Sequence, residues 1–119
     1  MKCLGLFEAY MVDVAVVGAG QTKYGNHPLG LKGMWAEAAA KAFASIDGDF
    51  EPGAVQEAFI GSTAFGGSQL GNMSALLTEH SGMDGVAVRR VENACASSGF
   101  AFRDAWMAIK SGQADVVIA

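Results

Sequence analysis

One cysteine in this sequence has surroundings suited to nucleophilic chemistry. Cys95 lies in Asn93–Gly99, NACASSG, between a segment with a strand pattern and one with a helix pattern. The first turn of a helix offers unpaired N–H groups and a positive end, which favour the reactive thiolate. Small neighbours also leave room for an acyl group and for backbone N–H groups to approach an oxyanion. A buried cysteine in a close-packed turn would explain the same pattern, so both interpretations stay open at this point.

The remaining motifs predict neither a nucleotide cofactor nor a metal site. Gly18-Ala19-Gly20 follows an apolar run, as in dinucleotide-binding folds, but Lys23 stands where a third small residue is required. The stretch FGGSQLG over 65–71 lacks the GK[ST] ending of a phosphate-binding loop. His27 and His80 have no second ligand at metal-binding spacing. We therefore expect each histidine to be a surface or hydrogen-bonded residue.

Composition excludes several classes of partner. The 119 residues are 51% hydrophobic and carry a net charge of −4, with one adjacent basic pair at Arg89-Arg90, so a nucleic-acid partner is not expected. No apolar run approaches the ~20 residues that span a bilayer, so no membrane association is expected. Two cysteines form no disulfide framework, and a reducing cytoplasm is the predicted location.

Strand and helix patterns alternate along the chain. This order predicts an α/β fold with a mostly parallel sheet covered on both faces. On the helix after Cys95, the side predicted to face the sheet contains Phe100, Ala101, Ala105, Ala108 and Ile109. Strands are predicted over 12–18, 57–61, 86–92 and 115–119, and helices over 34–46, 72–81 and 97–111.

The segment after the third predicted strand has a recognisable pattern. Val91–Ala119, VENACASSGFAFRDAWMAIKSGQADVVIA, resembles the nucleophile segment of the thiolase family, in which a strand leads into CxSG or CASG at the start of a buried helix. The family pattern xSGxxDVVxAGG is followed over Ser111–Ala119. Val14–Gly25, VAVVGAGQTKYG, resembles the first strand and loop of the archaeal and sterol-carrier-protein-type thiolases. Ser98 lengthens CASG to CASSG.

The resemblance implies a thiolase-like fold, whose two similar halves stack into α-β-α-β-α layers. Residues 12–119 are expected to form most of the N-terminal half, truncated before its end. Residues 1–11 are expected to be an N-terminal extension, with a translation start at Met11 as the alternative.

The resemblance also implies a reaction. Cys95 would take an acyl group from an acyl-CoA, with its own backbone N–H in an oxyanion hole. A second acyl-CoA, deprotonated next to its carbonyl, would then attack to give a 3-oxoacyl-CoA, or the reverse would occur with free coenzyme A. No cofactor beyond the coenzyme A of the substrate is implied.

The family's activating histidine, in GHPxG, and its second catalytic cysteine, in CxG, belong to the second half. Asn26–Gly30, NHPLG, is interpreted as a coincidence, because it follows the first strand and begins with Asn26 instead of glycine. Without a general base, this polypeptide alone is predicted to lack appreciable turnover.

Family members associate through the strand before the nucleophile, so Val86–Glu92 is predicted to form a homodimer or tetramer interface. Archaeal relatives also assemble with a synthase and a small acyl-CoA-binding protein. Three alternatives stay open: a 3-hydroxy-3-methylglutaryl-CoA synthase, a third-class ketoacyl-carrier-protein synthase, or a non-catalytic subunit that pairs with a separate C-terminal half. The synthases usually show ACxG or ACAGF, and the Ser-Ser spacing favours thiolase.

Overall fold

A computed structural model describes residues 13–63 and 78–119. Within these residues lie two complete helices, α1 (Gly30–Ala44) and α2 (Ser97–Lys110), and three strands, β1 (Glu57–Gly61), β2 (Ala87–Val91) and β3 (Val117–Ile118). Short 3₁₀ turns occupy Pro52–Ala54 and Ala94–Ala96. Of the helix predicted over 72–81, residues 72–77 lie outside the described residues, while Thr78 and Glu79 are helical.

The three strands form one parallel sheet in the order β2-β1-β3. Glu57 pairs with both Ala87 and Val117, so the strands begin level with one another. Their carboxyl ends therefore lie along the same edge of the sheet. The segment that carries Cys95 leaves the sheet at this edge, after β2.

Helices cover both faces of the central strand. Phe59 is buried against Ala101, Ala105 and Ala108 of α2. The next residue, Ile60, points to the opposite face, where Trp35 of α1 packs against it. Alanines on α2 allow this helix to approach the sheet closely. The predicted α/β class with a parallel sheet is confirmed.

The strand predicted over 12–18 is wrong for its described part, because residues 13–20 are irregular. Val16 and Val17 are 70% and 61% exposed. The segment instead follows α1: the Ala19 N–H donates to Ser45 Oγ at 2.9 Å, and a Cβ on Gly20 would overlap the carbonyl oxygen of Ala38. A β-branched run becomes a strand only where a neighbouring strand accepts its hydrogen bonds, and this segment bonds to a helix.

Two other boundaries and the burial of one side chain also differ from expectation. The first helix begins at Gly30 rather than at residue 34. The last strand is reduced to Val117–Ile118. Phe100, predicted to face the sheet, is 42% exposed, because it lies beside the buried stripe of alanines on α2 rather than within it.

Candidate active site

Cys95 lies where β2 passes into α2. It is the central residue of the 3₁₀ turn Ala94–Ala96, and α2 begins two residues later at Ser97. Its side chain is exposed and forms no disulfide. The predicted place of Cys95 directly before a helix is confirmed, and the buried-cysteine alternative is wrong. Its chemical role stays a prediction.

The turn that carries the sulfur has an unusual backbone. Ala94 has a φ of 44°, the left-handed region, and is the one non-glycine residue with positive φ in the described chain. This conformation costs an ordinary L-residue about 1–2 kcal/mol. The Ala94 N–H donates to Glu92 Oε1 at 2.8 Å, and the Ala96 N–H donates to the Asn93 carbonyl at 2.8 Å. These contacts hold the turn in its strained form.

Ser97 adds two further bonds to the same turn. Its hydroxyl oxygen accepts the Asn93 N–H at 2.9 Å and donates to the Ala94 carbonyl at 2.7 Å. Ser97 is only 4% exposed. The sequence predicted only that the small residues around Cys95 leave room beside it; the buried hydroxyl of Ser97 in addition makes these two hydrogen bonds. The tendency of serine to bond the preceding backbone was the available signal.

The last residue of β1, Gly61, packs directly against the first turn of α2. A Cβ built on Gly61 would lie 2.5 Å from both the N and the Cα atoms of Ser98. Real Cβ atoms do not approach backbone atoms so closely, so only glycine permits this contact. The last residue of β1 and the first turn of α2 therefore meet backbone to backbone.

A cavity of about 670 Å³ opens beside Cys95. Hydroxyl-bearing residues line it from three places: Thr22 in the loop before α1, Ser62 and Thr63 just after β1, and Ser97 and Ser98 at the start of α2. Among the described residues that line it, none is a histidine, lysine, aspartate or glutamate. Its apolar lining comes mainly from Leu31, Met34, Trp35, Phe59, Ile60, Ala101 and Phe102.

Trp35 is the polar exception within that apolar lining. Its indole Nε1 is buried and has no hydrogen-bond partner among the described residues. The sequence analysis did not single out Trp35 as a residue of the site. The hydroxyls of Ser62 and Thr63 were also missed, although residues just after a parallel strand are the usual location of binding groups.

His27 is hydrogen-bonded, as predicted. Its Nδ1 accepts the Leu29 N–H at 3.2 Å, so the ring proton is on Nε2, which donates to Glu37 Oε2 at 3.0 Å. The Lys41 ammonium donates to Glu37 Oε1 at 2.6 Å and to the Gln21 carbonyl at 3.0 Å. Lys41 first, and His27 second, hold the pKa of the Glu37 carboxyl below its usual range. His27 does not line the cavity beside Cys95.

The predictions for His80, for a metal site and for membrane association can also be compared with the described residues. His80 is exposed. Within 13–63 and 78–119, no three His, Cys, Asp or Glu side chains group together closely enough to hold a metal ion. None of the described helices has the length and apolar character needed to cross a bilayer.

Comparison with known proteins decides the family. The model of the thiolase N-terminal domain matches residues 14–119. The chain belongs to the thiolase family. Its similarity extends to the acetyl-CoA acetyltransferase of Methanocaldococcus jannaschii, 36% identical over 114 residues, and to that of Methanothermobacter thermautotrophicus, 36% identical over 120 residues.

These matches cover 91% and 92% of this thiolase chain but 28% of each relative. The chain thus spans little more than a quarter of the curated relatives that it matches. The resemblance of Val91–Ala119 to the thiolase nucleophile segment agrees with this family match, which favours thiolase over the two synthase alternatives. In this thiolase N-terminal domain, Cys95 lies at an exposed strand-to-helix turn beside a largely apolar cavity.

Proposed function

We propose that this chain supplies the nucleophile of an acetyl-CoA C-acyltransferase and that Cys95 carries the acyl group. The observation that supports this most strongly is the exposed Cys95 sulfur at the start of α2, on the wall of a largely apolar cavity, in a member of the thiolase family. Both curated relatives are named acetyl-CoA acetyltransferase. Acetyl-CoA is therefore the first substrate to test.

The first step is a thioester exchange. The Cys95 thiolate attacks the carbonyl carbon of the acyl-CoA, the bond between that carbon and the coenzyme A sulfur breaks, and coenzyme A leaves as a thiolate that takes up a proton. In the second step, a second acyl-CoA that has lost a proton next to its carbonyl attacks the acyl-cysteine. The Cys95 sulfur is released and a 3-oxoacyl-CoA forms. The coenzyme A of the substrates is the sole cofactor proposed.

Backbone geometry supports an oxyanion hole at Cys95. The Ala96 N–H already donates to the Asn93 carbonyl, whereas no acceptor for the Cys95 N–H exists among the described residues. An N–H that is left without a partner at a helix start can donate to the negative oxygen of a tetrahedral intermediate. This donor is worth roughly 3–4 kcal/mol of barrier when it is well placed.

The proposed quaternary structure uses β2. This strand lies at an edge of the described sheet, and three of its five residues are exposed, with Val88 and Val91 half-buried. A second copy could extend the sheet along Val86–Glu92, giving a homodimer or a tetramer of two such dimers. We further propose a cytoplasmic enzyme that works with a synthase and a small acyl-CoA-binding protein, without nucleic-acid or membrane partners.

Intact mass spectrometry tests the chemistry. The purified 119-residue chain is incubated with acetyl-CoA, and the site of the added acetyl group is mapped by peptide analysis. We expect acetylation of Cys95 that is lost in Cys95→Ala and retained in Cys3→Ala. Equal acetylation of the urea-unfolded chain would contradict the proposal, because a folded site would then contribute nothing.

A further inference from the structure

The turn Ala94–Ala96, called the Cys95 turn below, has a strained backbone that several hydrogen bonds hold in place. Ala94 lies in the left-handed region, and every bond that steadies it comes from a neighbour in the chain: Glu92, Asn93 and Ser97. Of these groups, the Ser97 hydroxyl is the buried one. It joins the N–H of Asn93 to the carbonyl of Ala94 and so closes the turn from the helix side.

The direction of these bonds is informative. A serine at a helix start ordinarily accepts an N–H from the first turn of its own helix. No side-chain cap bond of this kind is present at the start of α2. The Ser97 hydroxyl points backwards instead, to residues four and three positions earlier. It therefore holds the turn that carries Cys95 while leaving the first N–H groups of α2 uncapped by a side chain.

We propose that Ser97 is a positioning residue for Cys95. It does not touch the reacting atoms; it fixes the strained backbone at Ala94 and thereby aims the sulfur and the Cys95 N–H into the cavity. This inference rests on the proposed role of Cys95. A small displacement of a reacting group costs a large factor in rate, so loss of the Ser97 hydroxyl should slow acylation by between about tenfold and 100-fold.

Three variants separate positioning from general stability. Ser97→Ala removes both bonds, whereas Ser97→Thr keeps a hydroxyl that can bond to the carbonyl three residues earlier. Ser111→Ala is the matched control, because Ser111 makes the same kind of bond, to the Ala108 carbonyl at 3.0 Å, at the other end of α2.

Two measurements are made on each variant: the rate of acetyl transfer from acetyl-CoA to Cys95, and hydrogen exchange at the Asn93 amide. We expect Ser97→Ala to slow transfer and to speed exchange, Ser97→Thr to restore both, and Ser111→Ala to change neither. Wild-type transfer in Ser97→Ala, together with faster exchange at Asn93, would overturn the positioning role.

The outcome remains decisive if the proposed function itself fails. Absence of acetyl transfer to the wild-type chain would contradict the function, and alkylation of Cys95 by iodoacetamide, which needs no coenzyme A site, would then test positioning alone. A change in the alkylation rate in Ser97→Ala, reversed in Ser97→Thr, supports the role. Equal rates in all three chains would reject it.

Discussion

Gly61, the last residue of β1, lies in backbone contact with Ser98 in the first turn of α2. A Cβ on Gly61 would be 2.5 Å from the Ser98 N and Cα atoms and 2.7 Å from the carbonyl carbon of Ser97. The height of α2 above the sheet is thus set by main-chain atoms that no rotamer change can move. Since the Cys95 turn immediately precedes this contact, the location of the sulfur depends on it.

Gly61→Ala is expected to destabilise the chain by about 1–3 kcal/mol, because α2 must move away from β1 to admit the methyl group. Urea unfolding followed by circular dichroism measures the loss. Gly99→Ala is the control, since a Cβ there meets nothing within 4 Å and alanine favours a helix by up to about 1 kcal/mol. Equal stability of Gly61→Ala and the wild type would contradict the contact.

Val88→Pro is expected to abolish the proposed dimer. The Val91 carbonyl accepts the Ser62 N–H next to β1, so by alternation the N–H of Val88 points away from β1. Proline lacks a backbone N–H, so Val88→Pro removes that outward donor. Val88→Ala also shortens the side chain but keeps the backbone N–H. Sedimentation velocity should show monomers for proline and dimers for alanine. Dimers of both variants would place the interface elsewhere.

Glu37→Gln is expected to make the stability of the folded chain less dependent on pH below about pH 5. Because Lys41 and His27 lower the pKa of the folded Glu37 carboxyl, its contribution is present above the unfolded value of about 4.3 and is lost as the pH falls through the lower folded value. Melting temperatures from about pH 5 to about pH 3 should fall less steeply in Glu37→Gln. Exposed Glu51→Gln serves as the control, and identical slopes in both variants would exclude this effect.

The 119-residue chain is expected to accept an acetyl group without completing turnover. The described lining of the cavity includes no imidazole, amine or carboxylate side chain, and a general base typically contributes about 10²–10⁴-fold. Cleavage of acetoacetyl-CoA, followed by absorbance, should stay near background when the chain is assayed alone. Cleavage at a rate usual for an enzyme would show that a base is present after all.

Local sequence patterns were sufficient where short-range forces decide the structure. The strand predicted over 57–61 coincides with β1, because a compact apolar run buried on both faces allows few other structures. The place of Cys95 was predictable for a similar reason: helix periodicity begins immediately after it.

Long-range contacts account for the errors. The composition of residues 12–18 favours a strand, but Ala19, directly after this run, bonds to Ser45 at the end of α1, and no local pattern specifies that partner. Similarly, the sequence shows a serine at position 97 without showing that its hydroxyl turns back towards Ala94. The cavity brings Thr22 and Thr63 together with Cys95, and only the tertiary structure defines that group.

Trp35, a half-buried residue whose indole Nε1 is buried, can report on the cavity through its fluorescence. Its Nε1 lacks a partner among the described residues, and its ring lines the same cavity as Cys95. Tryptophan emission responds to the polarity and hydrogen bonding of its surroundings, so an acyl group that enters the cavity should alter the fluorescence of Trp35. Trp106→Phe would leave Trp35 as the only tryptophan, since the sequence has two. An unchanged spectrum on acetylation of Cys95 would mean that the acyl group lies away from the indole.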